Sequence, residues 1–249
     1  AGDALPEGKV ACAVALADKL DALAGLFGIG QAPTGERDPF GLRRAALGVI
    51  RILVERRLDL SLADLVNQAF DQYKGKAGVG QAQTDLEIFI YERFSGYLRD
   101  LGFSASQVDA VLSTNPTRIN LVPSQLEAVK AFQALPEAES LAAANKRVAN
   151  ILKQAEAKGE SFGNAEASEL REPAERALHE AIRSTSQKAK SLFDRGDYAG
   201  YLKSFAVLKA PVDRFFDTVM VMVDDPKVRR ERLALLRDLR DAMNRVADI

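Results

Sequence analysis

Apolar residues along this chain recur every three or four positions, the spacing of one helical face. Leu16, Leu20, Leu23 and Phe27 make the first such run. It predicts a helix over 10–27, stopped by Gly28 and Gly30, because glycine takes the left-handed backbone at little cost. The segment QAPTGERD has no period. Asp38 then supplies a cap and Pro39 a first-turn residue for a second helix over 39–57. On that helix Leu42, Ala46, Val49, Ile50 and Leu53 share one face, and Arg44, Gly48, Arg51 and Glu55 form a separate stripe.

The same pattern continues. Ser61 with Asp64 predicts a capped helix through Tyr73, followed by a loop over 74–83. Thr84 with Glu87 predicts the start of a helix carrying Leu86, Phe89, Ile90, Phe94, Tyr97, Leu98 and Leu101, ended by Gly102. Ser104 and Gln107 open a short helix through Leu112. Ser124 with Glu127 opens another, and Pro136 leads into a longer one with Leu141, Ala144, Val148, Ile151 and Leu152 on one side. After a loop over 158–164, a helical pattern runs from Glu166 to Arg195, which Pro173 permits only at its start or at a kink. Asp197 caps a helix bearing Tyr201, Leu202, Phe205 and Leu208. Pro211 breaks the pattern into a further helix over 212–223, and Asp225-Pro226 starts the last one, with Val228, Leu235, Leu239, Met243 and Val246 inward.

No segment alternates with period two between turn signals, so the fold class is all-α. The stretch TNPTRINLVP (114–123) has two prolines and no period, and reads as a connector. It divides the chain into helical units over 1–121 and 122–249.

Composition narrows the picture further. The chain has 249 residues, 47% of them hydrophobic, enough for a buried core in one elongated or two compact units. Its 34 Lys+Arg against 35 Asp+Glu exclude a crude polycation, yet nucleic-acid binding needs only a local basic surface. A single cysteine, Cys12, excludes an intramolecular disulfide and multi-cysteine metal sites, which suits a cytoplasmic setting. No apolar run has the length of a membrane span.

Candidate chemistry is sparse. FGIGQAPTG follows a helix and lacks the Lys-Ser/Thr pair of a phosphate loop, so it reads as a helix end. His179 has Glu175 and Glu180 nearby but no second His or Cys, which predicts no metal site. Cys12 lies among Val10, Ala11, Ala13 and Val14, as a packed thiol would. Asp224-Asp225 precede a helix and suit its capping and dipole. No catalytic residue is expected. Lys146, Asn150 and Lys153 are spaced i, i+4, i+7 opposite the apolar face, with Arg147 and Gln154 beside them. Such donors reach phosphates and base edges, and a solvated helix face has the same pattern. Arg51 with Glu55 one turn on reads as an ion pair.

Longer motifs decide more. DKLDALAGLFGIGQ, PTGERDPFGLRRAALGVIRI, LAAANKRVANIL (141–152) and FFDTVMVMVDD (215–225) closely resemble the β-subunit family of the bacterial heterotetrameric glycyl-tRNA synthetases. The chain begins AGDALPEGKV, without Met and within a family-like pattern, as a C-terminal piece of such a subunit would. The resemblance implies a helical region like HD-type phosphohydrolases, without their His-Asp metal motif, followed by a DALR-type anticodon-binding bundle. An Arg-Ile-x-x-Ile-Leu-Arg-like pattern of such bundles is matched by Arg147, Val148, Ile151, Leu152 and Lys153, and later helices by YLKSFAVLKAPVDRFFDTVMV and RRERLALLRDLRDAMNRV. Phe215, Phe216, Leu235 and Leu239 there are expected in the core.

The family also implies partners: glycine tRNA, and an α subunit in an α2β2 heterotetramer that holds the activating site and uses ATP and Mg. No cofactor is expected in this piece, which would grip tRNA. Glycine tRNAs share two cytosines in the anticodon, so readout of those bases is expected. Contact residues implied for tRNA are Asn145, Lys146, Arg147, Asn150, Lys153, Arg229 and Arg230, with Arg232 beside them. Arg43, Arg44 and Arg51 are implied to face the tRNA body or another part of the subunit. The alternative is a helical module that binds subunits without touching RNA.

Overall fold

The computed structural model describes residues 4–76 and 78–249; Ala77, within the loop expected over 74–83, and residues 1–3 lie outside the described residues. Among the described residues eleven α-helices follow one another: α1 Gly8–Gly28, α2 Leu42–Glu55, α3 Leu62–Asp71, α4 Gln83–Asp100, α5 Ala105–Leu112, α6 Val122–Gln133, α7 Ala138–Ala157, α8 Pro173–Asp194, α9 Tyr198–Ser204, α10 Lys209–Thr218 and α11 Pro226–Met243. Short 3-10 turns lie at Ile119–Leu121 and Phe205–Leu208. There is no strand among the described residues; Thr34 and Arg37 merely pair their backbones within a loop. The protein is all-α.

The chain separates into two compact units, Ala1–Pro123 and Ser124–Ile249. In the first, α1 packs on α2 and α3, α4 packs on α2 and α3, and α5 rests on α4. Leu23, Ile50, Leu53, Leu62, Leu86, Ile90 and Phe94 are removed from solvent there. In the second, α8 packs against α9, α10 and α11, and α7 lies against α10 and α11. Its core holds Leu141, Val148, Leu152, Leu178, Phe205, Phe215, Leu235 and Leu239.

Turn chemistry sets many of the ends. Ser61 accepts a hydrogen bond from the Asp64 N–H at 3.2 Å, and Ser104 with Gln107 forms a complete reciprocal cap. Asp225 accepts from the Lys227 and Val228 N–H groups. Gly102, at φ +96°, turns the chain after α4 as only glycine does cheaply.

Several boundaries differ from those expected. Helix α2 begins at Leu42, not Pro39, because Gly41 is left-handed at φ 68°. Asp38 still caps it from a distance, taking the Leu42 and Arg43 N–H groups at 2.8 and 3.0 Å. Thr84 lies inside the first turn of α4, which opens after Ala82 without a side-chain cap. Ser124 is likewise inside α6, since Pro123 in a first turn needs no N–H partner. The helix expected from Glu166 starts only at Pro173, its first residue, where the Glu175 side chain reaches back to the Glu172 N–H at 2.9 Å. Finally, α10 spans Lys209–Thr218 rather than 212–223: Pro211 fits in its first turn, and the backbone turns extended at Val219.

Candidate nucleic-acid interface

Helix α7 buries Leu141, Val148, Leu152 and Ala155 and thereby turns Lys146, Arg147, Asn150 and Lys153 outward, all four exposed. Arg147 is not loose on this surface. Its guanidinium lies over the Phe216 ring of α10, 4.1 Å from the ring centroid. Phe216 is half-buried and meets the fully buried Phe215 edge-on, with centroids 5.4 Å apart. A planar cation seated on a fixed ring is a flat, positively charged platform of the sort on which unstacked bases rest. The spacing of α7 predicts its basic residues; Phe216, expected as core, is their support.

Two residues of the predicted contact set are held within the bundle. Asn145 is only 2% exposed, and its amide N–H donates to Asn244 Oδ1 at 2.9 Å, to Asp248 Oδ1 at 3.4 Å and to the Ile249 carbonyl. It ties α7 to the segment after α11. Arg229 is half-buried, with its Nε on Glu160 at 2.7 Å and its Nη1 on the Val223 carbonyl at 2.6 Å. Its Nε and Nη1 donors engage two loops of the bundle.

Arg232, at the same end of α11, is an internal group as well. Its Nε donates to Glu175 at 2.5 Å and its Nη1 to the Met220 carbonyl at 2.7 Å. Both charged groups are buried, Arg232 at 8% and Glu175 at 2% exposure. The second Glu175 oxygen accepts the Arg171 and Glu172 N–H groups, so the pair is satisfied from both sides. Arg230 alone of the three arginines is exposed, with no ion pair among the described residues.

In the first unit the three candidate arginines part company. Arg43 donates to the Gly35 carbonyl and closes the loop before α2. Arg51 pairs with Glu55 at 2.7 Å, on an oxygen that also accepts the Tyr97 hydroxyl at 3.3 Å. Arg44 is exposed. Among the described residues no group of three or more His, Cys, Asp or Glu side chains is placed to hold a metal ion, and no helix is long and apolar enough to cross a membrane. His179 is half-buried on α8, and Cys12 is buried with its thiol toward the Pro6 carbonyl at 3.5 Å.

An all-helical bundle with a basic, aromatic-backed helix face belongs to a known class: residues 141–249 match the DALR anticodon binding domain. Residues 1–113 match the glycyl-tRNA synthetase beta subunit family, and the chain belongs to that family. It is 57% identical to the glycine–tRNA ligase beta subunit of Thiobacillus denitrificans, 52% to that of Aromatoleum aromaticum and 49% to that of Ralstonia nicotianae, in each case over its whole length. The chain spans about a third of the length of these curated relatives, 35%, 36% and 35% respectively.

Proposed function

We propose that this chain is the tRNA-gripping part of a glycine–tRNA ligase β subunit and that the outer face of α7 meets the anticodon loop of glycine tRNA. The observation that carries this reading is the Arg147 guanidinium stacked on Phe216, with Lys146, Asn150 and Lys153 exposed beside it in the DALR-matching unit. Arg147 and Phe216 offer a stacking surface. Lys146 and Lys153 offer phosphate contacts, and Asn150 offers a donor and an acceptor to a base edge. Arg230 is a further phosphate contact.

Binding energy collected at the anticodon then positions the acceptor end at a remote site for ATP- and Mg-dependent glycylation on the separate α subunit. The assembly is an α2β2 heterotetramer in the cytoplasm, and the body gives way to the anticodon-binding unit at the expected boundary of 121–122, two residues before the division between the compact units at Pro123 and Ser124.

The test is a titration of the chain with glycine tRNA and with an anticodon-swapped variant at two salt concentrations. Binding weakens with salt as counterions are reclaimed, and the swap lowers affinity. Replacing Lys146, Arg147 and Lys153 together by Ala weakens binding and lowers the salt slope by about 1 for each phosphate no longer held, with helicity intact. Unchanged affinity in that triple variant moves the site off α7. Unchanged RNA binding with loss of subunit association favours the protein-interaction reading.

A further inference from the structure

Helix α1 has no polar side over its first half. Val10 to Ala17 are eight consecutive apolar residues, and eight residues carry a helix through more than two full turns. Cys12 and Leu16 face the core of the first unit. Ala11, Ala13 and Ala17 are left exposed with two larger residues, Val10 at 79% and Val14 at 65%. A helix that is apolar all round belongs in an interior, and this one has half of its surface in water.

Along the same helix runs a groove of about 620 Å³ between α1 and α3. Leu16 and Leu20 of α1, Leu65 and Ala69 of α3 and the exposed Leu60 line it. Ala13 and Ala17 line it too, so small residues border the groove where the neighbouring valines project. Asp18 and Asp21 are on its wall, and Asp21 accepts the Tyr73 hydroxyl at 2.9 Å. Lys9 is exposed at the other end of the apolar run. Neither Lys9 nor Asp18 has an ion pair among the described residues.

We propose that a second copy of this chain covers the face, its α1 antiparallel to the first about a two-fold axis between Ala13 and Val14. That axis sets Val10 level with Ala17, Val14 with Ala13, and Lys9 with Asp18 of the other copy. Each large residue meets a small one, each ammonium meets a carboxylate, and the valines of each copy enter the groove of the other. A patch that holds both knob and hole, with opposite charges at its two ends, is complementary to itself, as an isologous interface must be. The carboxylates on the groove wall repel a phosphate backbone, which excludes RNA as the occupant. The proposal uses no residue of α7 and is independent of the tRNA reading.

The experiment is sedimentation equilibrium of the 249-residue chain from micromolar to millimolar concentration, beside V14D, K9E and K9E/D18K. The parent passes from monomer to dimer with a midpoint in the micromolar range, as suits a contact at the small end of specific interfaces. V14D buries a carboxylate in each copy and weakens the dimer by at least about tenfold. K9E turns two ion pairs into two like-charge pairs and weakens it by about tenfold, and K9E/D18K exchanges the signs and restores the parental midpoint. All the altered positions are exposed, so helicity and Tm remain those of the parent. A folding defect cannot be rescued by an exchange of charges.

A chain that stays monomeric throughout overturns the proposal and leaves the face to a different protein partner. A dimer that V14D and K9E leave unchanged is held by another surface and overturns it as well. Association that continues past the dimer does the same, because a two-fold contact closes on itself. If K9E weakens the dimer and K9E/D18K fails to restore it, the antiparallel pairing is wrong and the proposal falls with it.

Discussion

The two units are helical to a similar degree and are built differently inside. Every buried polar or charged side chain among the described residues, Gln125, Asn145, Glu175, Thr185 and Arg232, lies in the second unit. The first unit places its helices mainly by apolar faces and local caps, and its long-range side-chain bonds, such as Tyr73 to Asp21 and Arg56 to the Leu5 carbonyl, come from groups that are not buried. In the second, α11 acts as a hub for the irregular segments before α8 and after α10. Arg232 holds the Met220 carbonyl, Arg229 that of Val223, and Arg237 that of Phe162, while Asp238 and Glu231 accept the N–H groups of Ala165 and Glu166. Directed bonds hold an irregular connection where apolar packing has nothing periodic to grip.

That difference can be broken, and the largest effect is expected at its most buried point. Arg232→Met leaves the Glu175 carboxylate without its cation and the Met220 carbonyl without its donor. A loss of about 3–5 kcal/mol in urea unfolding is expected, and a loss below about 1 kcal/mol would erase the contrast. Asn145→Ala removes three hydrogen bonds that hold the end of the chain to α7. It is expected to cost about 1–3 kcal/mol and to speed amide exchange over 244–249.

A smaller pair of changes sharpens the comparison by asking for equal effects. Each unit has a tyrosine hydroxyl bonded to a distant backbone carbonyl, Tyr91 to Pro116 at 2.7 Å and Tyr201 to Ala242 at 2.6 Å. Burial pushes both hydroxyls up to about 12; the Glu87 charge adds to this at Tyr91, and Arg245 opposes it at Tyr201. In the unfolded chain they ionise near 10. The fold therefore favours the neutral form, and its stabilisation is complete below pH 10 and lost as pH rises from 10 through 12. Tyr91→Phe and Tyr201→Phe are each expected to cost about 1 kcal/mol at neutral pH and to flatten that alkaline loss in a pH series of melts. The smallest effect is expected in the first unit: Arg51→Ala, which breaks a partly exposed i, i+4 pair with Glu55, should change stability by no more than about 0.5 kcal/mol.

Much of the candidate interface was legible from spacing, because residues i, i+4 and i+7 share a helical face whatever surrounds them. Lys146, Asn150 and Lys153 needed no tertiary information to be placed together and outward. Their neighbours did. Asn145 and Arg147 flank Lys146 on the same helix and read alike as polar donors, yet one is buried against the last residues and the other covers a phenylalanine ring. Arg229, Arg230 and Arg232 form one cluster in the chain and have three different surroundings.

The order of the amino acids was enough for the all-helical class, the rough extent of most helices, the caps at Ser61, Ser104, Asp197 and Asp225, and the face of α7 that stays wet. These depend on interactions within a few residues, and periodicity reports them directly. Packing settled the rest: Arg232 and Glu175 are one buried pair, Phe216 backs Arg147, the chain turns extended at Val219, and Gly48 makes room for Lys19. The pairings join residues on different helices, far apart along the chain. Such partners are chosen when helices meet, and the local pattern of a helix carries no record of the choice.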